Sequence, residues 1–282
     1  MKNIDDIIQL ALKEDVGGGD ITTGIFVPDN IKFKAVMKAK KTGVVCGVDV
    51  AERVFKTVDP SIKVTKYLKD GDRVRKGSVI MRVTGGKSIM TAERTALNFI
   101  QHLSGIATLT NKFAKAVSGF SEVYDTRKTI PGLRDLEKYA VRCGAGKNHR
   151  KGLYDAFLIK DNHISSLGRN YLSELSGRIR KARRNRGRKK IEIEAKTLKQ
   201  AKEFSKLDVD MVMLDNMSLS DMRKAIVFLR RRKKQVEISG NVNLRKVRAL
   251  AKLKPDRISA GKITHSAPAL DISLDIANLK ER

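Results

Sequence analysis

Apolar positions recur along the chain with different periods, and each period marks out a region. Ile4, Ile7, Ile8, Ala11 and Leu12 share one helical face, and Gly17-Gly18-Gly19-Asp20 ends that first helix. From about Lys32 to Gly86 the runs are short and β-rich: Phe33 to Met37, Lys63 to Leu68 and Ser78 to Val83. Turn pairs at Asp70-Gly71 and Gly85-Gly86 divide them, and a helical stretch interrupts near Val48 to Val58. This mixture predicts a compact α+β region. A long helical pattern follows from Thr91 to Val117, carrying Glu93, Arg94, Asn98 and His102, with a candidate break at Ser104-Gly105.

After Ser121 short apolar strands alternate with polar residues and helical stretches. The strands are Glu122 to Tyr124, Ala156 to Ile159, Ile191 to Ala195, Met211 to Leu214, Gln235 to Ile238 and Arg257 to Ser259. Repeated strand–helix units predict a parallel sheet, either closed or open. Polar residues gather where each strand ends. These are Asp125-Thr126-Arg127-Lys128-Thr129, Lys160-Asp161-Asn162-His163, Asp215-Asn216, Ser239-Gly240-Asn241 and Ser259-Ala260-Gly261, while Glu192 and Glu194 lie within the third strand. In a barrel of such units these positions converge on one mouth. Lysine and arginine there would neutralise phosphates and carboxylates, glycine turns would offer backbone N–H groups to phosphate, and acids would hold a divalent metal or stabilise developing positive charge.

Taken singly, these positions leave alternatives open. Ile191-Glu192-Ile193-Glu194 alternates with period two, so both acids share a face: a solvated edge, or the barrel interior. Asp215 could cap the next helix, and His265 could be a satisfied loop histidine. Gly144-Ala145-Gly146-Lys147-Asn148 has neither the spacing nor the following hydroxyl of a phosphate loop, no dinucleotide fingerprint is present, and the four histidines show no zinc spacing.

Composition adds one anomaly. With 59 basic and 31 acidic residues the net charge is +28, a field that attracts anions. Much of the excess lies in Arg178 to Lys190 and Leu229 to Lys234. A solvated helix end with its following loop accounts for such runs, and a nucleic-acid patch is the sharper alternative. No aromatic residue interleaves either run, which removes the basis for base stacking. No apolar run reaches the ~20 residues that span a bilayer, and the N-terminus carries two early acids instead of a secretory pattern. Cys46 and Cys143 lie in no metal-ligand spacing and read as two reduced thiols. A soluble, cytoplasmic α/β protein is expected.

The run YDTRKTIPGLRDLEKYAVRCGAGKNHRKGLYDAFLIKDNHI, from Tyr124 to Ile164, resembles the central signature of quinolinate phosphoribosyltransferases. EDVGGGDITT from Glu14, AERTALNFIQHLSGIATLT from Ala92 and THSAPALDISLDI from Thr264 resemble the same family, so the likeness spans almost the whole chain. The resemblance implies an N-terminal α/β sandwich domain over residues 1–110 and an incomplete α/β barrel of parallel strands over 111–282, with a C-terminal segment able to pack back on the first. It implies a homodimer and a magnesium-dependent transfer of phosphoribosyl from phosphoribosyl pyrophosphate to quinolinate. The products are nicotinate mononucleotide, pyrophosphate and carbon dioxide, a step of NAD synthesis.

Carried over by residue, the resemblance gives Arg127, His149 and Arg150 the quinolinate carboxylates, with Thr126 beside them and Arg94 reaching in from the second subunit. Lys128 and Lys160 would hold phosphate or carboxylate oxygens. Glu194 and Asp215 would lie near the ribose and the magnesium, and Ser239, Gly240, Gly261 and His265 would line the phosphate pocket. Asn241 replaces the second glycine of the usual Ser-Gly-Gly turn, and asparagine tolerates positive φ better than most residues. Lys262 follows Gly261 where the family often has an apolar residue, and the basic run before Ile191 exceeds what the family implies. Two other functions compete: a related transferase-like protein with another acceptor, and nucleic-acid binding as a second activity.

Overall fold

The computed structural model describes residues 4–185 and 189–279, so the Arg186-Gly187-Arg188 part of the first basic run lies outside the described residues. The chain forms two compact units. One comprises the chain up to Asn111, Ile130–Ala145 and everything from Ser266 on; the other comprises Lys112–Thr129 and Gly146–His265.

The first unit begins with helices α1 (Ile4–Val16) and α2 (Ile21–Phe26). Asp20 does more than end the glycine run: its side chain accepts the Thr23 N–H at 2.9 Å and caps α2. Next come strands β1 (Phe33–Ala39) and β2 (Gly43–Val44), helix α3 (Val48–Val58), strands β3 (Lys63–Lys66), β4 (Arg73–Val74) and β5 (Val79–Gly85), and helix α4 (Ser88–Val117). β1 alternates buried and half-buried positions, as a sheet with one face against a core requires.

α4 does not break at Ser104-Gly105. Gly105 serves packing: a Cβ there would lie 2.3 Å from the Pro268 carbonyl oxygen, so only glycine lets that segment approach. The close approach outweighs the helix-propensity cost of about 1 kcal/mol.

Two later segments cluster with the first unit: the C-terminal one, which the resemblance allows to pack back, and Ile130–Ala145, which a cut near residue 110 leaves out. Helix α5 (Arg134–Cys143) is joined to it through Asp70, whose Oδ2 accepts the Tyr139 hydroxyl at 3.0 Å. Asp70 Oδ1 also accepts the N–H groups of Gly47 and Val48 at 2.8 and 2.9 Å, capping α3 where Gly47 has no side chain to do so. Nearby, the Cys46 thiol and Cys143 sulfur interact, which raises the first thiol and lowers the second. The cysteines, distant in sequence, are therefore neighbours in space. Removing the Asp70 carboxylate strands three donors, so Asp70→Ala is expected to lower the unfolding free energy by about 2–4 kcal/mol, measurable by urea denaturation.

The final strand of the chain pairs antiparallel with β1, from Phe33↔Asn278 to Ala39↔Ile272. It completes an antiparallel sheet in which that strand, β1, β5 and β3 are neighbours in turn.

The second unit contains strands β6 (Glu122–Tyr124) and β7 (Phe157–Ile159), helices α6 (Asp161–Ser165) and α7 (Tyr171–Asn185), and strand β8 (Ile191–Ala195). It continues with α8 (Leu198–Phe204), β9 (Met211–Asp215), α9 (Leu219–Arg231), β10 (Gln235–Ser239), α10 (Leu244–Ala251), β11 (Arg257–Ser259) and α11 (Lys262–His265). The last strand of the chain, named above, is β12 (Ile272–Asn278). Six strands form one parallel sheet in the order β6-β11-β10-β9-β8-β7. β6 and β7 are its two edges, with no pairing between them among the described residues, so the barrel is incomplete. Ile193, Val212, Leu214, Val236, Ile238 and Ile258 are fully buried, and this apolar layer aligns the strand ends in register.

Candidate active site

The C-terminal ends of the six parallel strands surround a cavity of about 490 Å³. Thr126, Arg127, Lys128, His149, Arg150, Lys160, Glu194, Asp215, Ser239, Gly240, Gly261 and His265 all line it. Twelve of the thirteen residues nominated from sequence thus meet in one unit. Arg94 is not among the lining residues; it is exposed on α4, in the other unit.

β6 runs directly into Asp125, which is fully buried. Its carboxylate accepts the His149 backbone N–H and the Asn148 side-chain amide, both at 2.7 Å. One buried acid therefore holds the Asn-His-Arg segment against the end of β6. Arg150 donates to the Ala156 carbonyl at 3.1 Å. Its charge is disfavoured first by burial and then by the Arg127 guanidinium, so two cations face one side of the cavity with a place for an anion.

The alternation in β8 resolves inward. Glu192 and Glu194 are both buried. Glu192 meets His149 Nε2 at 3.1 Å, and Glu237 of β10, fully enclosed, lies 3.4 Å from the same nitrogen. Burial alone would push the imidazolium down, but the two carboxylates overcome it and raise His149 to about 9. The Glu192 carboxyl is raised by burial and by the Glu237 charge. Glu194 faces the mouth, and its carboxyl is raised by burial first and then by Asp215. Oxygen donors crowded in this way suit a hard divalent cation such as magnesium, which would relieve their repulsion.

Asp215 ends β9 beside Ser239, its register partner at the end of β10. The turns that follow adopt the left-handed region: Asn216 at φ 54, Gly240 at φ 90 and Asn241 at φ 46. Asn241 thus occupies the third position of its turn with the positive φ considered from sequence, and its amide donates to Asn216 Oδ1 at 3.0 Å. A Cβ on Gly240 would sit 2.6 Å from the Asn216 backbone nitrogen. Gly240→Ala is therefore expected to open this turn and lower the unfolding free energy by about 1–3 kcal/mol, measurable by urea denaturation. Across the mouth, Thr264 Oγ1 donates to the Lys128 carbonyl at 2.7 Å, holding Lys128 near Gly261 and His265.

Asp125 and Glu192 were read from sequence among the polar residues at the strand ends but given no individual role, and Glu237 was not singled out. Glu237 had a readable signal. It shares the period-two face of Gln235 and Ser239, flanked by Val236 and Ile238, which is the logic already applied to β8.

The sequence profile of the quinolinate phosphoribosyl transferase N-terminal domain matches residues 20–104, and that of the C-terminal domain matches 106–275. This chain belongs to the quinolinate phosphoribosyltransferase family. A Nicotiana glauca member, quinolinate phosphoribosyltransferase [decarboxylating] 2, mitochondrial, is 40% identical over 290 residues, covering 97% of this chain and 82% of the relative. A probable nicotinate-nucleotide pyrophosphorylase [carboxylating] of Methanocaldococcus jannaschii is 39% identical, with 96% of each chain covered. The crystal structure of NadC from Streptococcus pyogenes superposes with a TM-score of 0.91 at 39% identity, covering 99% of this chain and 98% of that one. The similarity to family members is therefore end to end and includes both units. No helix among the described residues is long and apolar enough to cross a membrane.

Proposed function

We propose that this family member transfers phosphoribosyl from phosphoribosyl pyrophosphate to the nitrogen of quinolinate, with loss of one carboxylate as carbon dioxide. The observation that carries the reading is the convergence of three kinds of group in one cavity: paired guanidinium groups with an imidazolium, two mouth carboxylates, and turns with left-handed backbone.

In this reading Arg127 and Arg150 grip the two ring carboxylates, with Thr126 beside them. His149, whose Nδ1 accepts the Arg150 N–H and whose Nε2 faces Glu192 and Glu237, lines the same wall and positions Arg150. A guanidinium fork matches a carboxylate in shape as well as charge. Lys128 and Lys160 hold phosphate or carboxylate oxygens. The Ser239-Gly240-Asn241 turn and Gly261 receive the phosphate, with His265 and Lys262 at the rim. Glu194 and Asp215 would hold magnesium, which when bound neutralises pyrophosphate oxygens. The same two carboxylates favour the positive charge that builds at the anomeric carbon as the pyrophosphate bond breaks. The ring nitrogen forms the new bond and becomes a pyridinium. That cation accepts the electron pair of the departing carboxylate, and a proton then replaces it on the ring carbon.

Acceptor identity is tested by pyrophosphate release with quinolinate, nicotinate or nicotinamide offered in turn. Release dependent on quinolinate alone is expected. Release with nicotinate and none with quinolinate would assign the site to another acceptor.

Arg94 completes the proposal as a residue of a dimer, serving the mouth of the partner subunit. Arg94→Ala and Arg127→Ala are each expected to be nearly inactive alone. Once mixed and allowed to exchange subunits, they should recover about a quarter of native activity, because one mouth in each mixed dimer is intact. Recovery of none would place Arg94 outside any shared site.

A further inference from the structure

The cationic runs that this chemistry leaves unused meet at the opposite end of the parallel sheet. β8, β9, β10 and β11 are adjacent strands, so their N-terminal ends stand side by side at about 4.8 Å spacing. Lys189-Lys190 lead into β8, the Ser205 to Asp210 loop into β9, Arg230 to Lys234 into β10, and Lys252 to Asp256 into β11.

Named bonds join these segments. Arg183 of α7 donates to the Asp208 carbonyl and pairs with Asp210, both at 3.0 Å. Lys234 donates to the Leu207 and Val209 carbonyls at 2.8 and 2.9 Å, and Arg230 to the Lys254 carbonyl. Two runs separated in sequence thus converge on one loop. Two acids at this end serve the backbone, Asp210 accepting the Ile191 N–H at 2.6 Å and Asp256 the Val236 N–H at 2.7 Å, and a third, the exposed Asp208, pairs with Arg183 at 3.3 Å. Lys190, Arg231, Arg232, Lys233, Lys252 and Lys254 are all exposed.

We propose that this end of the sheet is a docking surface for the phosphate backbone of double-stranded nucleic acid, bound without regard to base sequence. A row of point charges and guanidinium forks fits regularly spaced phosphates. Neither run contains an aromatic side chain, and the exposed Tyr154 beside Lys189 is a lone platform where a single strand stacks successive bases, which favours a duplex. Ile179 and Leu229, the large apolar members of the runs, are buried, so the runs themselves present nothing to enter a lipid layer, and the exposed Leu153 and Tyr154 beside Lys189 are a small apolar edge to a cationic face. The strands separate this face from the cavity mouth by about 15 Å, leaving the mouth open.

The test is fluorescence anisotropy of a labelled duplex of about 20 base pairs, titrated with the full chain across a range of KCl. A variant carrying Lys190→Gln, Arg231→Gln, Arg232→Gln and Lys252→Gln is compared with one carrying Lys13→Gln, Lys41→Gln, Lys69→Gln and Lys76→Gln. All eight positions are exposed, and the second set belongs to the other unit. The face variant is expected to bind at least tenfold more weakly at 100 mM KCl, with the slope of log affinity against log salt smaller by about 3–4. The control variant should change affinity less than threefold. Equal weakening by both variants, or tighter binding to phosphatidylserine vesicles than to duplex, overturns the proposal. Native pyrophosphate release by both variants verifies the fold. If the fourfold variant does not fold, Lys190→Gln with Lys252→Gln alone should lower the slope by about 2, and an unchanged slope there overturns the proposal equally.

Discussion

Replacing Arg127 with alanine is expected to lower kcat/KM for quinolinate by about a hundredfold to several thousandfold. The guanidinium lines the cavity close enough to Arg150 to add to the burial that disfavours the Arg150 charge, and a bound carboxylate relieves that cost. Removing one leaves the substrate carboxylate without its bidentate partner, a loss of about 3–5 kcal/mol, and each 1.4 kcal/mol is a factor of ten in rate. Arg127→Lys keeps the charge and loses the fork, so it should recover only part of the rate. Steady-state kinetics with both variants checks this. Near-native kcat/KM in Arg127→Ala would place the carboxylate grip elsewhere.

The second large effect is on stability. His149 supplies positive charge between Glu192 and Glu237, two carboxylates from different strands that are almost wholly enclosed. His149→Ala leaves them facing each other without it, and breaking a buried pair in this way costs about 3–5 kcal/mol. The effect depends on pH in a definite sense. His149 is raised to about 9 from an ordinary value near 6.5. Its charge therefore stabilises the native chain fully below about 6.5, and this stabilisation is lost as pH rises through about 9. At the acid end, Glu192, itself held above the ordinary carboxylate range, takes up a proton and no longer requires the cation. The gap between native and variant unfolding free energies should thus be widest near neutrality and narrow towards pH 4 and pH 10. Guanidinium denaturation at several pH values measures it, and a gap that is constant with pH would show that packing alone is lost.

Much of the site was legible because barrel strands are short, buried and uninterrupted, and because chemistry in this architecture collects where strands end. Asp215, Ser239 and Lys160 follow apolar runs that admit few other readings. Glu194 needed the period-two argument, which the buried interior of β8 supports. Non-local relations were harder to read. Ile272 to Asn278 alternates weakly, and its pairing with β1, more than two hundred residues away, is set by a sheet edge that leaves no mark in the local pattern. Gly105 misled for a related reason: its glycine answers to Pro268, not to the helix around it. The Cys46–Cys143 neighbourhood likewise depends on how α5 docks through Asp70, which spacing does not reveal.

The central claim is that the strand-end cavity carries out phosphoribosyl transfer coupled to decarboxylation. Its most direct test is release of labelled carbon dioxide from quinolinate bearing the label in the carboxylate adjacent to the ring nitrogen. Release should require both phosphoribosyl pyrophosphate and magnesium, match pyrophosphate mole for mole, and fall to background in Arg127→Ala. Release that proceeds without the sugar phosphate, or none in its presence, would contradict it.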